Sequence, residues 1–170
     1  MEFLDVVDEN DEVMEKATKE HIYSSQLTHR IVHIFVFNEN NEILLQKRQG
    51  TKSFPLYWAP SAGGHVASGE TYEEAAQREL KEELYLEGQL DFISKIVFHG
   101  KVYPTGEPIT KFISIFSIRN NNSFKKNFKA NEEVRDVKFF SKTELKELLA
   151  TETIHPELKF IIEQGILDQA

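Results

Sequence analysis

The sequence contains no cysteine among its 170 residues. This absence excludes disulfide bonds, thiolate metal sites and catalysis by a thiol nucleophile. Long hydrophobic runs are also missing, because no apolar stretch approaches the roughly 18 residues that a bilayer-spanning helix requires. The first residues, MEFLDVVDENDE, are acidic and do not follow the pattern of a signal peptide. We therefore expect a cytoplasmic protein without a membrane partner.

Positive charge is scarce as well. The chain has 20 Lys and Arg residues against 28 Asp and Glu residues, a formal net charge of −8. Binding to nucleic acid requires clustered Lys and Arg, so this composition argues against a nucleic-acid partner. With 40% hydrophobic residues the chain is long enough for one real core, and we predict a single domain over residues 1–170.

The most informative stretch covers residues 63–86 and reads GGHVASGETYEEAAQRELKEELYL. Thr71 and Glu74 form the pattern of a capping box, which predicts that a helix begins there. Glu79 and Glu83 lie four positions apart, so they point only about 40° away from each other on that helix. Two neighbouring carboxylates favour a divalent cation such as Mg²⁺ or Mn²⁺. Taken alone, however, RELKEE is also typical of a solvated helix face.

The spacing of the whole stretch resembles the signature box of the Nudix hydrolases, here residues 64–86. The match rests on Gly64, Glu70, Arg78, Glu79, Leu80, Glu82, Glu83, Leu84 and Leu86. One position departs from the family pattern, because Tyr85 stands where the family usually has glycine. A bulky residue adopts the left-handed conformation of a helix end only at a cost. We therefore predict that the helix continues past Tyr85 and ends at Gly88.

The fold that the resemblance implies is of the α/β class, a Nudix-type α/β/α sandwich with a mixed sheet and an N-terminal β-hairpin. The residue pattern agrees. It predicts a hairpin over 3–17, strands over 30–37, 42–48, 90–102, 109–119 and 134–140, and late helices over 142–150 and 156–164. Residues 49–62 and 120–131 are predicted to be loops.

The activity that the resemblance implies is hydrolysis of a diphosphate linkage in a nucleoside diphosphate joined to another group, with Mg²⁺ or Mn²⁺ as cofactor. By position, Glu79 and Glu83 would be the principal metal ligands and Glu82 a further one. A backbone carbonyl near Gly63 or Gly64 could complete the set, since glycine lets the backbone approach an ion closely.

Two other box residues would act through the metal ligands. Arg78 would orient a carboxylate ligand, a role that metal sites commonly require. Glu70 would hold Arg78 or the preceding loop. A simpler alternative for Glu70 is a carboxylate that interacts with the dipole at the start of the helix.

Further candidates lie outside the box. In some Nudix enzymes a glutamate from another loop joins the site as general base, and Glu133 matches that position best. Its alternative is a solvated acidic residue next to a strand. Lys47 and Arg48 end a strand near the expected site and could clamp a diphosphate. Trp58 could stack on a base, although aromatic residues in such a loop more often pack on the core.

A second resemblance concerns isopentenyl diphosphate isomerase, which shares the fold. His29 and His65 fall where the isomerase keeps two metal-binding histidines, but Ile22 stands at a further histidine position. Gly63 stands where the isomerase has its catalytic cysteine. We therefore interpret the chain as a Nudix hydrolase of the isomerase-like branch, with His29 and His65 as structural histidines. An isomerase and a non-catalytic nucleotide-binding module remain alternatives, and a homodimer through the hairpin or an outer strand is left open.

Overall fold

The computed structural model describes residues 1–120, 127–151 and 153–170. The strands are β1 (Phe3–Val7), β2 (Val13–Thr18), β3 (His29–Phe37), β4 (Ile43–Arg48), β5 (Trp58–Ala59), β6 (Ala62–His65), β7 (Asp91–Lys101), β8 (Pro108–Arg119) and β9 (Val134–Phe140). The helices are α1 (Lys19–Ser24), α2 (Tyr72–Leu84), α3 (Lys142–Leu149) and α4 (Pro156–Glu163), followed by a 3₁₀ helix (Ile166–Gln169).

Strand β3 lies in the middle of a seven-stranded mixed sheet. It pairs in parallel with β8 along its whole length, and β8 pairs antiparallel with β7. β3 is rich in β-branched and aromatic residues and lacks polar alternation, as expected of a strand that is covered on both faces. The prediction of a central strand here is therefore confirmed.

The two faces of the sheet support separate hydrophobic clusters. On β3, Phe35 and Phe37 contribute to the cluster that contains the α3 and α4 residues Leu148 and Leu158. The β3 residues at the positions between these face the opposite side of the sheet, where they belong to the cluster formed with α2. The result is an α/β/α sandwich with α2 on one side and α3 and α4 on the other, as predicted.

The N-terminal hairpin β1–β2 is also confirmed, and buried acids attach it to the domain. Asp11 accepts hydrogen bonds from Arg30 Nε at 2.7 Å and from the Tyr72 hydroxyl at 2.9 Å. Asp5 accepts from the Ser68 hydroxyl and from the Gly69 amide. The hairpin therefore supports the loop that leads into α2.

Strand β4 separates from β3 after only two residue pairs, and this divergence creates the space for a site. β4 faces β3 at Leu44 and Ile43, whereas β6 takes over as the neighbour of β3 further along. Ser61 bridges the point of separation, because its hydroxyl accepts from the Val36 amide and donates to the Leu44 carbonyl. The opening that results is bordered by β4, β6 and α2.

The predicted extension of α2 to Gly88 is wrong. The helix ends at Leu84, and Tyr85 itself takes the left-handed conformation with φ of 57°. The amide of Leu86 donates to the Leu80 carbonyl and the Tyr85 amide to that of Lys81, so carbonyls at the helix end are satisfied. Tyr85 is largely exposed, which leaves its side chain free to avoid the nearby backbone.

Other boundaries differ in detail. The predicted loop over 49–62 contains the short strand β5, and the 3₁₀ helix after Gly165 was not predicted. Residues 121–126 of the predicted polar loop over 120–131 lie outside the described residues. Within the described ranges no helix is long and apolar enough to cross a membrane.

We expect Tyr85→Gly to raise the free energy of unfolding by about 1 kcal/mol, because glycine removes the penalty for a β-carbon in the left-handed region. Tyr85→Ala is the matched control, since alanine keeps the β-carbon and should give little change. Chemical denaturation of the three proteins tests this. A destabilised Tyr85→Gly variant would contradict it.

Candidate active site

A polar cavity of about 720 Å³ lies at the opening bordered by β4, β6 and α2. Residues from both halves of the chain line it. They include Tyr23, His33, Gln46, Arg48, Lys52, Phe54, Gly63, Gly64, His65, Arg78, Glu79, Glu82, Glu83, Lys111, Glu133 and Glu157. The three glutamates predicted as metal ligands, Glu79, Glu82 and Glu83, therefore line one cavity.

Glu79 and Glu83 lie on the side of α2 that packs against the sheet, and the residues are only 9% and 3% exposed. Gln46 on β4 donates a hydrogen bond to the Glu83 carboxylate and another, at 3.1 Å, to the Ser61 carbonyl. A β-carbon at Gly64 would overlap the Glu79 carboxylate. Glycine is therefore required at position 64 for this carboxylate to reach the cavity wall.

Arg78 connects the carboxylates to the loop before the helix. Its guanidinium donates two hydrogen bonds of 2.9 Å to Glu70, one of 2.7 Å to Glu79 and one of 2.9 Å to the His65 carbonyl. It also lies 3.5 Å from Glu82, whose side chain is more than half exposed. Arg78 thus fixes one oxygen of Glu79, and Glu70 fixes Arg78.

The two buried carboxyls retain protons more readily than ordinary glutamates. Burial raises the pKa of Glu79 to about 7, although Arg78 acts in the opposite direction. Burial also raises the pKa of Glu83 well above its usual value, and the charge of Glu79 adds to this effect. Crowded carboxylates with raised pKa values are typical of functional sites.

These donors fit a hard divalent cation in their chemistry. Mg²⁺ and Mn²⁺ prefer carboxylate and carbonyl oxygens, and a cation would relieve the repulsion between Glu79 and Glu83. Among the described residues, no three acidic, histidine or cysteine side chains already converge as a metal-binding group. Glu82 and a backbone carbonyl near Gly63, the other donors predicted from the sequence, therefore stay predictions.

Glu133 and Arg48, both predicted outside the box, reach the cavity. Asn131 donates to the backbone carbonyl of Glu83 at 2.9 Å, which ties the segment before β9 to the end of α2. Glu133 is about half exposed and lies 3.4 Å from the ammonium of Lys52. Lys52 was not predicted; it lies in a loop whose path could not be inferred from the sequence.

Lys47 and Trp58 lie elsewhere. Neither residue is among the described residues that line the cavity. Trp58 packs edge-on against Phe140 with a centroid distance of 4.9 Å, and the Lys47 ammonium lies over the Trp58 ring. Phe54 is the aromatic residue of this loop that does line the cavity.

His29 and His65 stack on each other with ring centroids 5.5 Å apart. The Tyr23 hydroxyl lies 2.7 Å from Nε2 of His65, and Nδ1 of His29 lies 3.0 Å from the Leu27 carbonyl. Burial lowers the pKa of His29 to about 4 and that of His65 well below its usual value. Both rings are therefore neutral at physiological pH and have hydrogen-bond partners in the protein.

Sequence inspection missed the residues on the opposite wall, Tyr23, His33, Lys111 and Glu157. Glu157 accepts from the Lys111 ammonium at 2.8 Å and lies 2.7 Å from Nε2 of His33. Lys111, which is the one charged residue of β8 before its final Arg119, was the available signal.

Comparison with known proteins identifies a family for the chain. A family model described as the NUDIX domain matches residues 27–160. An uncharacterized Nudix hydrolase of Nostoc sp. is 38% identical over 137 residues, which cover 75% of this chain and 79% of that protein. An isopentenyl-diphosphate Delta-isomerase of Photorhabdus laumondii is 37% identical over 100 residues, 58% of this chain and 56% of that one. The crystal structure of a Deinococcus radiodurans protein has a TM-score of 0.75 and 24% identity, covering 96% of this chain and 98% of its own.

The raised pKa values predict that stability depends on pH. Between the ordinary glutamate value of 4.5 and about 7, the folded state binds more protons at Glu79 than the unfolded chain does. Protonation of Glu79 alone contributes on the order of 3 kcal/mol to the free energy of unfolding. This contribution is complete below pH 4.5 and is lost as the pH rises through 7. The buried rings of His29 and His65, whose pKa values are lowered, act in the opposite direction below pH 6.5. We therefore expect metal-free protein to lose stability between pH 6.5 and pH 8.

Glu83→Gln should reduce this pH dependence, because the amide carries no charge to repel Glu79. At pH 8 the variant should have the higher free energy of unfolding, measured by urea denaturation with a chelator present. Glu73→Gln, at an exposed position of the same helix, is the control. If the free energy of unfolding changes equally with pH in wild type and in Glu83→Gln, the raised pKa values assigned to Glu79 and Glu83 are contradicted.

Proposed function

The chain belongs to the Nudix hydrolase family, in the branch that resembles isopentenyl diphosphate isomerase, and from this we propose that it hydrolyses a diphosphate linkage in a metal-dependent reaction. The substrate class is a nucleoside diphosphate joined to another group, or a similar small diphosphate. The observation that carries the proposal is the pair of buried, proton-retaining carboxyls, Glu79 and Glu83, on the wall of a large polar cavity.

Glu79 and Glu83 would hold the divalent cation, with Glu82 and a backbone carbonyl near Gly63 as further donors. When bound, Mg²⁺ or Mn²⁺ supplies neutralisation of the charge that develops on the diphosphate oxygens. Arg78 positions Glu79 through the 2.7 Å hydrogen bond, and Gln46 positions Glu83. Both carboxyls must lose their protons before they bind a cation.

The attacking water requires a base, and Glu133 is our first candidate. Its side chain is about half exposed and lines the same cavity. Burial is the largest cause of the raised pKa values of Glu79 and Glu83, and the charge of Glu133 adds to both shifts. This effect supports a place for Glu133 near the two carboxyls. Glu82 is the alternative base, because its exposed carboxylate faces the cavity from α2.

The negative diphosphate also requires positive groups. Arg48 lines the cavity and is held in place by hydrogen bonds to the Ser53 carbonyl at 2.7 Å and to its hydroxyl at 3.0 Å. Lys52 lies on the same loop, beside Glu133. We assign both cations to the diphosphate, since charge-assisted hydrogen bonds to phosphate are strong.

The isomerase alternative is disfavoured by the surroundings of Gly63. A β-carbon there would overlap the His33 ring and would come within 2.6 Å of the Val32 carbonyl oxygen. A cysteine at this position therefore does not fit the present arrangement of β3 and β6. A binding module without catalysis is disfavoured for a different reason, because it has no need to bury Glu79 and Glu83 together.

Phosphate release from a panel of nucleoside diphosphates, triphosphates and sugar-linked diphosphates with Mg²⁺ tests the proposal. We expect turnover by the wild type and a loss of about 10²-fold or more in kcat/KM in Glu83→Gln, because several kcal/mol of metal-mediated charge stabilisation are lost. Glu133→Gln should lose roughly 10²–10⁴-fold if Glu133 is the general base.

Glu73→Gln is again the control and should retain wild-type activity. Unchanged turnover in Glu83→Gln would remove the metal assignment. Conversion of isopentenyl diphosphate to its isomer by the wild type would instead support the alternative activity.

A further inference from the structure

A cluster of connected side chains forms the cavity wall opposite the box glutamates. We call Tyr23, His33, His65, Lys111 and Glu157 the Lys111 cluster; all five line the cavity. They come from five different elements, α1, β3, β6, β8 and α4. Because no single segment creates this arrangement, it is a product of the tertiary structure.

Lys111 and Glu157 form the centre of the cluster. The Lys111 ammonium lies 2.8 Å from Oε1 of Glu157, whereas Oε2 of Glu157 lies 2.7 Å from Nε2 of His33. Both carboxylate oxygens therefore already have partners in the protein. The Glu157 side chain is 5% exposed and the Lys111 side chain 15% exposed, so the charge that the pair presents to the cavity is the ammonium.

The ammonium retains capacity for a ligand. An ammonium has three N–H donors. Glu157 accepts one of them at 2.8 Å. The ring centroid of Tyr23, whose hydroxyl is bonded to Nε2 of His65, lies 5.8 Å from the ammonium. Lys111 therefore has donors left for a molecule in the cavity.

The charge on this wall is also fixed. Burial opposes ionisation, but the attraction between Lys111 and Glu157 outweighs it, so the pKa of Lys111 is raised and that of Glu157 lies well below its usual value. At the rim, Glu2 lies 3.5 Å from Lys19, which balances its charge. The Lys111 cluster therefore adds no unpaired carboxylate that would repel an anion.

We propose that Lys111 binds an anionic oxygen of the substrate that lies outside the cleaved diphosphate. The substrates favoured by this protein then carry a further phosphate or carboxylate group in addition to the diphosphate. This inference rests on the proposed function, because it assigns the second wall of the same cavity to the second group of the substrate.

Two matched probe pairs test the inference. Uridine diphosphate glucuronic acid and uridine diphosphate glucose differ by one carboxylate, and adenosine triphosphate and diphosphate differ by one phosphate. We expect the wild type to prefer the anionic member of at least one pair by about tenfold, which corresponds to about 1.4 kcal/mol. The pair that shows the preference identifies the anion as carboxylate or phosphate.

The decisive variant is Lys111→Met combined with Glu157→Gln, which removes both charges and leaves no unpaired buried ion. In this double variant the preference for the more anionic member of the probe pair should disappear, so that the ratio between the two members is about 1. Lys111→Arg should keep the wild-type ratio. Lys101→Met is the matched control, because Lys101 is an exposed lysine of the same cavity lining and its loss should leave most of the preference. Thermal unfolding checks that each variant folds, and Lys111→Gln combined with Glu157→Gln replaces the first double variant if that one does not.

Calorimetric binding of the same probes with Mg²⁺, in a Glu133→Gln background that slows turnover and keeps the metal ligands, separates this inference from the proposed function. A preference in binding that depends on Lys111 supports the inference even when no probe is hydrolysed. Hydrolysis with no preference in the wild type, or with a preference that persists in the double variant, overturns the inference and leaves the proposed function intact.

Discussion

The site depends on one constraint, which is that two carboxylates of α2 are kept out of water beside each other. Glu79 and Glu83 pack against the sheet because their helix must also bury Ala76 and Leu80 on adjoining positions. Repulsion and desolvation raise the pKa values of both carboxyls. Arg78 offsets part of the penalty, and a divalent cation would offset more of it. The most unfavourable feature of the metal-free fold is thus the one that favours metal binding.

The surrounding elements hold this arrangement from several directions. Asp5 of the hairpin binds the loop before α2, Ser61 bridges the separation of β3 and β4, and Asn131 ties the last strand to the end of the helix. The C-terminal helix contributes Glu157, which is 124 positions from its partner His33. These long-range contacts allow a cavity with acidic residues on one wall and an ammonium on the other.

Sequence patterns predicted helices and strands well where interactions between residues close in sequence determine the structure. The capping box predicted at Thr71 is present and starts α2, and the structure shows a second capping box at Ser141 that starts α3. The end of α2 could not be inferred from Tyr85 alone, because satisfied carbonyls and an exposed side chain compensate for the left-handed conformation. Trp58 could not be placed either, since packing against Phe140 depends on how distant strands meet.

The sequence by itself determined the family, the order of elements and the carboxylate set, because these follow from residue spacing along one helix and from hydrophobic patterns over short ranges. Only the tertiary structure decided which cations and aromatic residues reach the cavity. Arg48, Lys52 and Phe54 line it, whereas Lys47 and Trp58 do not. Lys111 and Glu157 come together only when β8 and α4 pack against each other. The physical reason is that such contacts depend on strand register and loop paths, which adjacent residues do not encode.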